Sequence, residues 1–150
     1  VDNLQFRSVA RVLGMSRSYV VDGVLRAFVL DAEDAKPGVS FFSEDAWPMQ
    51  IGVMQWPAGH SSRPHRHNPR SHTVTVTSEA LIVWSGRTDV VLFDDQSNVA
   101  ETIELVAGSV CLMFGGAHGI VVHEDSTITE LKQGPYDGTT DKVWLDEVHG

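Results

Sequence analysis

The stretch Ala80–Phe114, ALIVWSGRTDVVLFDDQSNVAETIELVAGSVCLMF, decides the fold class. Four segments rich in β-branched and apolar residues follow one another in it, and clusters of Gly, Ser, Asp and Asn separate them. Short strands bounded by such turn-forming residues are typical of antiparallel sandwiches and barrels. The strands predicted here are Ala80–Trp84, Thr88–Phe93, Thr102–Val106 and Ser109–Phe114.

Strand-like segments continue on both sides of this stretch. Ser18–Leu30 is β-branched and apolar with a turn signal at Asp22-Gly23, and Leu4–Met15 is the one helix candidate. No long repeat, low-complexity segment or linker interrupts the pattern, so residues 1–150 are predicted to form a single all-β, antiparallel domain. The further predicted strands are Met49–Trp56, Thr73–Thr77, Ile120–His123 and Thr127–Leu131.

Charge and composition exclude several classes of partner. The formal net charge is −9, which argues against nucleic acid or an anionic membrane surface as a partner. No apolar run approaches the roughly 20 residues that a membrane-spanning helix needs. Cys111 is the single cysteine, and we expect a reducing cytoplasm as the compartment. Against this acidic background, residues 60–72 hold four histidines and three arginines but no acid.

The spacing of the histidines in that segment indicates metal binding. Alternate residues of an extended chain point to the same side, so His65 and His67 can present two imidazoles to one ion, about 7 Å apart along the strand. Two imidazoles bind weakly and need further ligands from elsewhere in the chain. Glu79 and His118 are candidates, because each shares a strand face with apolar residues and can face the interior.

The order of these residues resembles the two motifs of the cupin family. The first motif is resembled by Pro57-Ala58-Gly59, His65-Arg66-His67, Glu79 and Gly86, and the second by Gly108 and Gly115-Gly116-Ala117-His118. In cupins the two motifs form hairpins of a jelly-roll β-barrel, and three histidines and one glutamate hold a metal inside it. The resemblance therefore implies a jelly-roll β-barrel with a divalent metal bound by His65, His67, Glu79 and His118.

Departures from the cupin pattern leave the fourth ligand open. The 11 residues between His67 and Glu79 make this spacing longer than the common one. His72 stands at the usual distance from His67, so a four-histidine site with His72 is the alternative. We prefer Glu79, because Gly86 then precedes a strand where the cupin turn glycine is expected. In the second motif, Phe114 stands where proline is usual.

The similarity to one group of small cupins extends over Val39–Leu145. Members of this group are often encoded beside genes for surface-sugar or secondary-metabolite biosynthesis. The resemblance implies a homodimer that pairs through edge strands, and it leaves the first 38 residues as an arm or as edge strands. The shared blocks are Phe41-Phe42, His65–Pro69, Thr77–Leu81, Gly115–Gly119 and Glu130–Tyr136.

Side chains outside the metal set are candidates for contact with a substrate. Glu130 and Lys132 share a strand face, and facing inward they would hold a substrate carboxylate or transfer protons; facing outward they would form an exposed ion pair. Tyr136 follows Gly134-Pro135 and either covers the barrel mouth or packs a turn. We take Glu130, Lys132 and Tyr136 as candidate catalytic residues, and Arg63 and Arg70 as candidate groups for an anionic substrate.

These observations predict a metal-dependent cupin enzyme that acts on a small anionic metabolite by oxygenase, isomerase or lyase chemistry. Imidazole and carboxylate ligands suit Fe, Zn, Mn or Ni. The alternative is an accessory cupin of a biosynthetic pathway, which binds a metal and a small molecule without catalysis. The remaining histidines, His60, His123 and His149, are interpreted as non-ligands.

Overall fold

The computed structural model describes residues 16–138 and 140–145. These residues form ten strands and one 3₁₀ turn, Ala32–Asp34. The strands are β1 Arg17–Val21, β2 Val24–Leu30, β3 Gly38–Phe41, β4 Gly52–Gln55, β5 Ser78–Ser85, β6 Arg87–Phe93, β7 Val99–Val106, β8 Val110–Phe114, β9 His118–Val122 and β10 Thr127–Lys132.

The strands pair into three antiparallel sheets. A five-stranded sheet has the order β1-β2-β8-β5-β10, a three-stranded sheet the order β7-β6-β9, and β3 pairs with β4. The hairpin between β1 and β2 turns at Asp22 and Gly23, whose φ angles of 52° and 75° are those of a two-residue hairpin loop. Within the first 38 residues, β1 is an edge strand, whereas β2 lies inside the sheet beside β8.

The core has two parts, one on each side of the five-stranded sheet. Between this sheet and the three-stranded one lies a cluster of aliphatic side chains that alternate along their strands, as the period of two requires. On the other face, residues such as Phe28 and Phe114 pack against the segment 42–53, in which Trp47 contacts both rings edge to face. The members between the two large sheets include Val29, Leu81, Val83, Val90, Leu92, Ile103, Leu105 and Met113.

The two large sheets are pinned together at one end. The chain crosses from β5 to β6 at Gly86 and from β9 to β10 at Asp125 and Ser126. A side chain on Gly86 would lie 2.5 Å from the carbonyl oxygen of Asp125 and 2.8 Å from the Cα of Ser126, so the two crossings touch. Nearby, the amide of Gly108 donates to the carbonyl of Val83. We call this the closed end of the sandwich, and the end where β5 and β9 begin the open end.

A buried polar network supports the five-stranded sheet. Asp31, which is 3% exposed, accepts a hydrogen bond of 2.7 Å from the Ser109 hydroxyl and one of 3.1 Å from Arg17. Ser109 is itself fully buried. Because a buried carboxylate without partners is costly, the three side chains depend on one another.

The all-β, antiparallel class predicted from the sequence is confirmed, while the jelly-roll barrel stays a prediction. No sheet of the described residues closes into a barrel, because β9 and β10 are both edge strands and no strand joins them. The predicted strand Thr73–Thr77 is wrong: residues 73–77 are exposed and have no strand partner. The strand β3 was not predicted. The helix candidate Leu4–Met15 lies outside the described residues.

Candidate functional site

The contact between Glu79 and His118 joins the two large sheets at the open end. Glu79 is the second residue of β5, and His118 is the first of β9. The Nε2 atom of His118 lies 3.0 Å from Oε2 of Glu79, with 28% of the histidine side chain and 12% of the glutamate side chain exposed. These two predicted metal ligands are therefore brought together from different sheets.

The register of the strands explains why this pair lies at the end of the apolar core. Glu79 stands opposite Met113 on β8 and Lys132 on β10, and His118 stands opposite Leu92 on β6. Directly opposed residues of antiparallel strands share a face. Met113 and Leu92 are each 2% exposed, so the polar groups stand on an apolar floor where one side is open to solvent.

The same register settles which way Lys132 and Glu130 face. Lys132 lies opposite Glu79, and Glu130 lies opposite the buried Leu81, so both belong to the inner face of β10. The Lys132 ammonium pairs with the Asp141 carboxylate and lies 5.0 Å from the centroid of the Tyr136 ring. Glu130 is exposed, and Tyr136 is 70% exposed. Of the three candidate catalytic residues, Lys132 lies nearest to the Glu79–His118 pair in register.

The surroundings of Lys132 favour anion binding over proton transfer. The hydrogen bond to Asp141 raises the pKa of Lys132 above its usual value, with the charges of Glu79 and Glu130 acting in the same direction. A general base at neutral pH needs a pKa near the working pH. Lys132 therefore stays a cation and is suited to hold a carboxylate or phosphate.

Tyr19 is a residue of this layer that the sequence did not single out. It lies opposite Ala27, which lies opposite Met113, so it belongs to the row of residues that ends at Lys132. Partial burial raises the pKa of Tyr19, and the charge of Glu101 on the neighbouring sheet contributes. The hairpin turn at residues 22 and 23 by itself would place Tyr19 opposite Arg26, and an irregularity between Tyr19 and Val20 shifts it to Ala27, so no local signal identified this residue.

The other two predicted ligands lie apart from this pair. His65 and His67 belong to residues 56–77, an exposed segment without strands. Their rings are 5.1 Å apart between centroids, and Nδ1 of His65 lies 3.1 Å from the Arg63 carbonyl oxygen. Across the described ranges, no three His, Cys, Asp or Glu side chains are gathered where they could hold a metal. The four predicted ligands thus lie as two separate pairs, and the metal site stays a prediction.

His72 and the arginines occupy other positions. His72 lines a groove of about 330 Å³ together with Leu25, Phe114 and Gln133, whereas Glu79 contacts His118. Arg63 and Arg70 are exposed in the segment 56–77.

Two of the histidines interpreted as non-ligands have partners of their own. The ring of His60 stacks on Trp56 with centroids 4.4 Å apart. Nε2 of His123 lies 2.8 Å from the Asp89 carboxylate. The third, His149, lies outside the described residues.

Comparisons with known proteins found no relative of this chain: no family model, no curated protein and no solved structure matches it. In the part of the chain that the structure describes, no helix is long and apolar enough to span a membrane. The likeness to cupins therefore rests on the motifs, and the geometry at the open end is what bears on function.

Proposed function

We propose that this chain is a metal-dependent enzyme of the cupin type that acts on a small anionic metabolite at the open end of the sandwich. The observation that carries the proposal is the 3.0 Å contact between His118 and Glu79, which closes an apolar core with two groups able to bind a metal. Lys132 stands beside Glu79 on the next strand and adds a cation. A metal-binding pair, a cation and an apolar floor are the elements of a site for a small anion.

The proposed ligands form two pairs, and the groups within each pair lie close enough together to bind one divalent metal. On an ion with ligand bonds of about 2.1 Å, neighbouring ligand atoms are roughly 3 Å apart, and the Glu79 and His118 atoms have this separation. His65 and His67 also lie side by side, with ring centroids 5.1 Å apart. We propose that these four residues are the ligands, and that a bound metal supplies Lewis acidity at the open end.

Nothing in the strand pairing holds the His65–His67 pair away from His118. Within the described part of the chain, the hydrogen bonds of residues 57–71 are local, between Pro57 and His60 and between Arg63 and His65. β9 is an edge strand of its sheet, and its inner-face residue Ile120 is 46% exposed. The segment can therefore approach His118 without breaking any strand pairing of the described residues, and its approach would cover apolar surface.

The other side chains have separate tasks in this proposal. Met113 and Leu92 exclude water from the inner side of the site. Lys132 holds the anionic group of the metabolite, because its ammonium stays protonated at neutral pH.

The test is the metal content of the purified chain and of its variants. The protein is stripped with a chelator, reloaded separately with Fe(II), Zn, Mn and Ni, desalted, and measured by elemental analysis. We expect stoichiometric metal in the wild type and its loss in His65→Ala and in His118→Ala, because each variant removes a ligand from a different pair. Glu79→Gln and His72→Ala are then compared to identify the fourth ligand. The fourth ligand is the residue whose variant loses metal.

The matched control is His123→Ala. It removes an imidazole that already has a carboxylate partner, Asp89, and it lies beyond the other end of β9. This variant should keep its metal. Absence of stoichiometric metal from the wild type, or full retention in His65→Ala, would remove the metal from the proposal. A protein that binds metal and a small anion but turns over no candidate substrate would instead be an accessory binding protein.

A further inference from the structure

Lys132, the cation of the open end, is already paired with a carboxylate. Lys132 is 17% exposed at its side chain, and its partner Asp141 is exposed to the same extent. Asp141 lies nine residues further along the chain, so the chain leaves β10, turns back, and lays an acidic side chain on the last residue of that strand. The ring of Tyr136 lies against the same ammonium.

Among the described residues, the hydrogen bonds of the segment that carries Asp141 lie mainly within the segment. The Asp141 amide donates to the Asp137 carbonyl oxygen at 3.0 Å, and the Thr140 hydroxyl bonds the Asp137 carboxylate at 2.9 Å. Directly after Asp141, Val143 is 93% exposed and Trp144 is 84% exposed. Among the described residues, the ion pair is therefore a main attachment of this segment to the sheet, and the apolar side chains of Val143 and Trp144 do not pack against it.

We propose that Lys132 is the anion-recognition residue of the open end, and that Asp141 occupies it as a built-in competitor until a small carboxylate or phosphate compound displaces it. A carboxylate ligand would replace one carboxylate by another on the same ammonium. The ammonium is paired with an anion before and after the exchange, and Asp141 is released to solvent, so no charge is left buried without a partner. The position beside Glu79 would then set the anionic end of the ligand next to the Glu79–His118 pair.

This inference rests on the proposed site at the open end but does not require a bound metal. It can therefore be tested on the stripped protein in the presence of a chelator. Malonate and inorganic phosphate serve as probes of the two anion chemistries, with binding measured by titration calorimetry. If the ion pair is closed about nine-tenths of the time, removal of the competitor raises the apparent affinity about tenfold.

The decisive variant is Asp141→Asn, which keeps the shape of the side chain and removes its charge. We expect it to bind malonate or phosphate about tenfold more tightly than the wild type. Lys132→Gln should abolish binding, and Lys132→Arg should retain it. The control is Asp95→Asn, which removes one acidic charge from the exposed pair with Arg26 and should leave the affinity unchanged.

The outcomes separate this inference from the metal proposal. Equal affinities in Asp141→Asn and the wild type would refute the role of Asp141 as a competitor, whatever the metal content. Binding that survives Lys132→Gln would refute it as well. The same tighter binding in Asp95→Asn would reduce the effect to net charge and overturn it too. If the variants show the expected affinities and the protein binds no metal, the anion site is supported while the metal proposal fails. The probe that responds identifies carboxylate or phosphate as the ligand chemistry.

Discussion

The turn at Gly86 should be far less tolerant of a side chain than the turn at Gly23. Both glycines have positive φ, 83° and 75°, so alanine meets the same backbone strain at each. At Gly23 a Cβ atom would have nothing within 4 Å, whereas at Gly86 it would lie 2.5 Å from a backbone oxygen of the β9–β10 crossing. Gly23→Ala is therefore a matched control for the steric effect at Gly86.

The magnitudes follow from these contacts. The left-handed conformation costs alanine about 1–2 kcal/mol, and the stiffer unfolded chain returns about 0.4–1 kcal/mol, so Gly23→Ala should destabilise by about 1 kcal/mol. At Gly86 the crossing must also shift, because the overlapping atoms belong to the backbone, and overpacking of this kind costs about 1–3 kcal/mol more. We expect Gly86→Ala to lower the free energy of unfolding by about 2–4 kcal/mol in total.

Urea denaturation checks this expectation. The midpoint should fall in both variants with the slope unchanged, and it should fall further in Gly86→Ala. Because the crossing next to Gly86 follows β9, the strand that begins with His118, this variant should also weaken metal binding at His118, while Gly23→Ala should not. Equal losses of stability in the two variants would refute the reasoning, since the contact between the two crossings would then not constrain the sheets.

Three further predictions concern stability and reactivity. Asp31→Ala should lower the free energy of unfolding by about 3–5 kcal/mol in urea titrations, because Ser109 is left buried without its acceptor and Arg17 without its counter-ion; a loss below 1 kcal/mol would contradict a coupled network. Burial raises the pKa of Cys111 to about 12, so a thiol reagent at neutral pH should modify it only after denaturation, and rapid native labelling would count against its burial. Hydrogen bonds in its turn lower the pKa of Asp94, so Asp94 stabilises the fold above its ordinary pKa and this contribution is lost as the pH falls through the lowered value. The stability difference between wild type and Asp94→Ala should therefore shrink on acidification, and a constant difference would contradict this.

Local sequence patterns were sufficient to predict the strands and turns that depend on residues close together in the chain. Alternating apolar residues predicted the strands from Ala80 to Phe114, and the dipeptide at residues 22 and 23 predicted the first hairpin. The same alternation turned Glu79 to the interior. These features depend on neighbours within a few residues, and such neighbours are visible in the chain itself.

The tertiary structure decided which of these residues meet. Sequence could not orient Lys132, because either face of its strand was open to it; pairing of β10 with β5 turned it inward beside Glu79. Nor did it indicate Asp141 as the partner of Lys132, because that contact depends on the path of the chain after β10. The contact between Glu79 and His118 follows from the packing of two sheets, and the separate position of His65 follows from a segment that joins neither. Strand alternation determines which face of a sheet a side chain lies on. The residue that it contacts on another strand depends on long-range pairing, which no local period encodes.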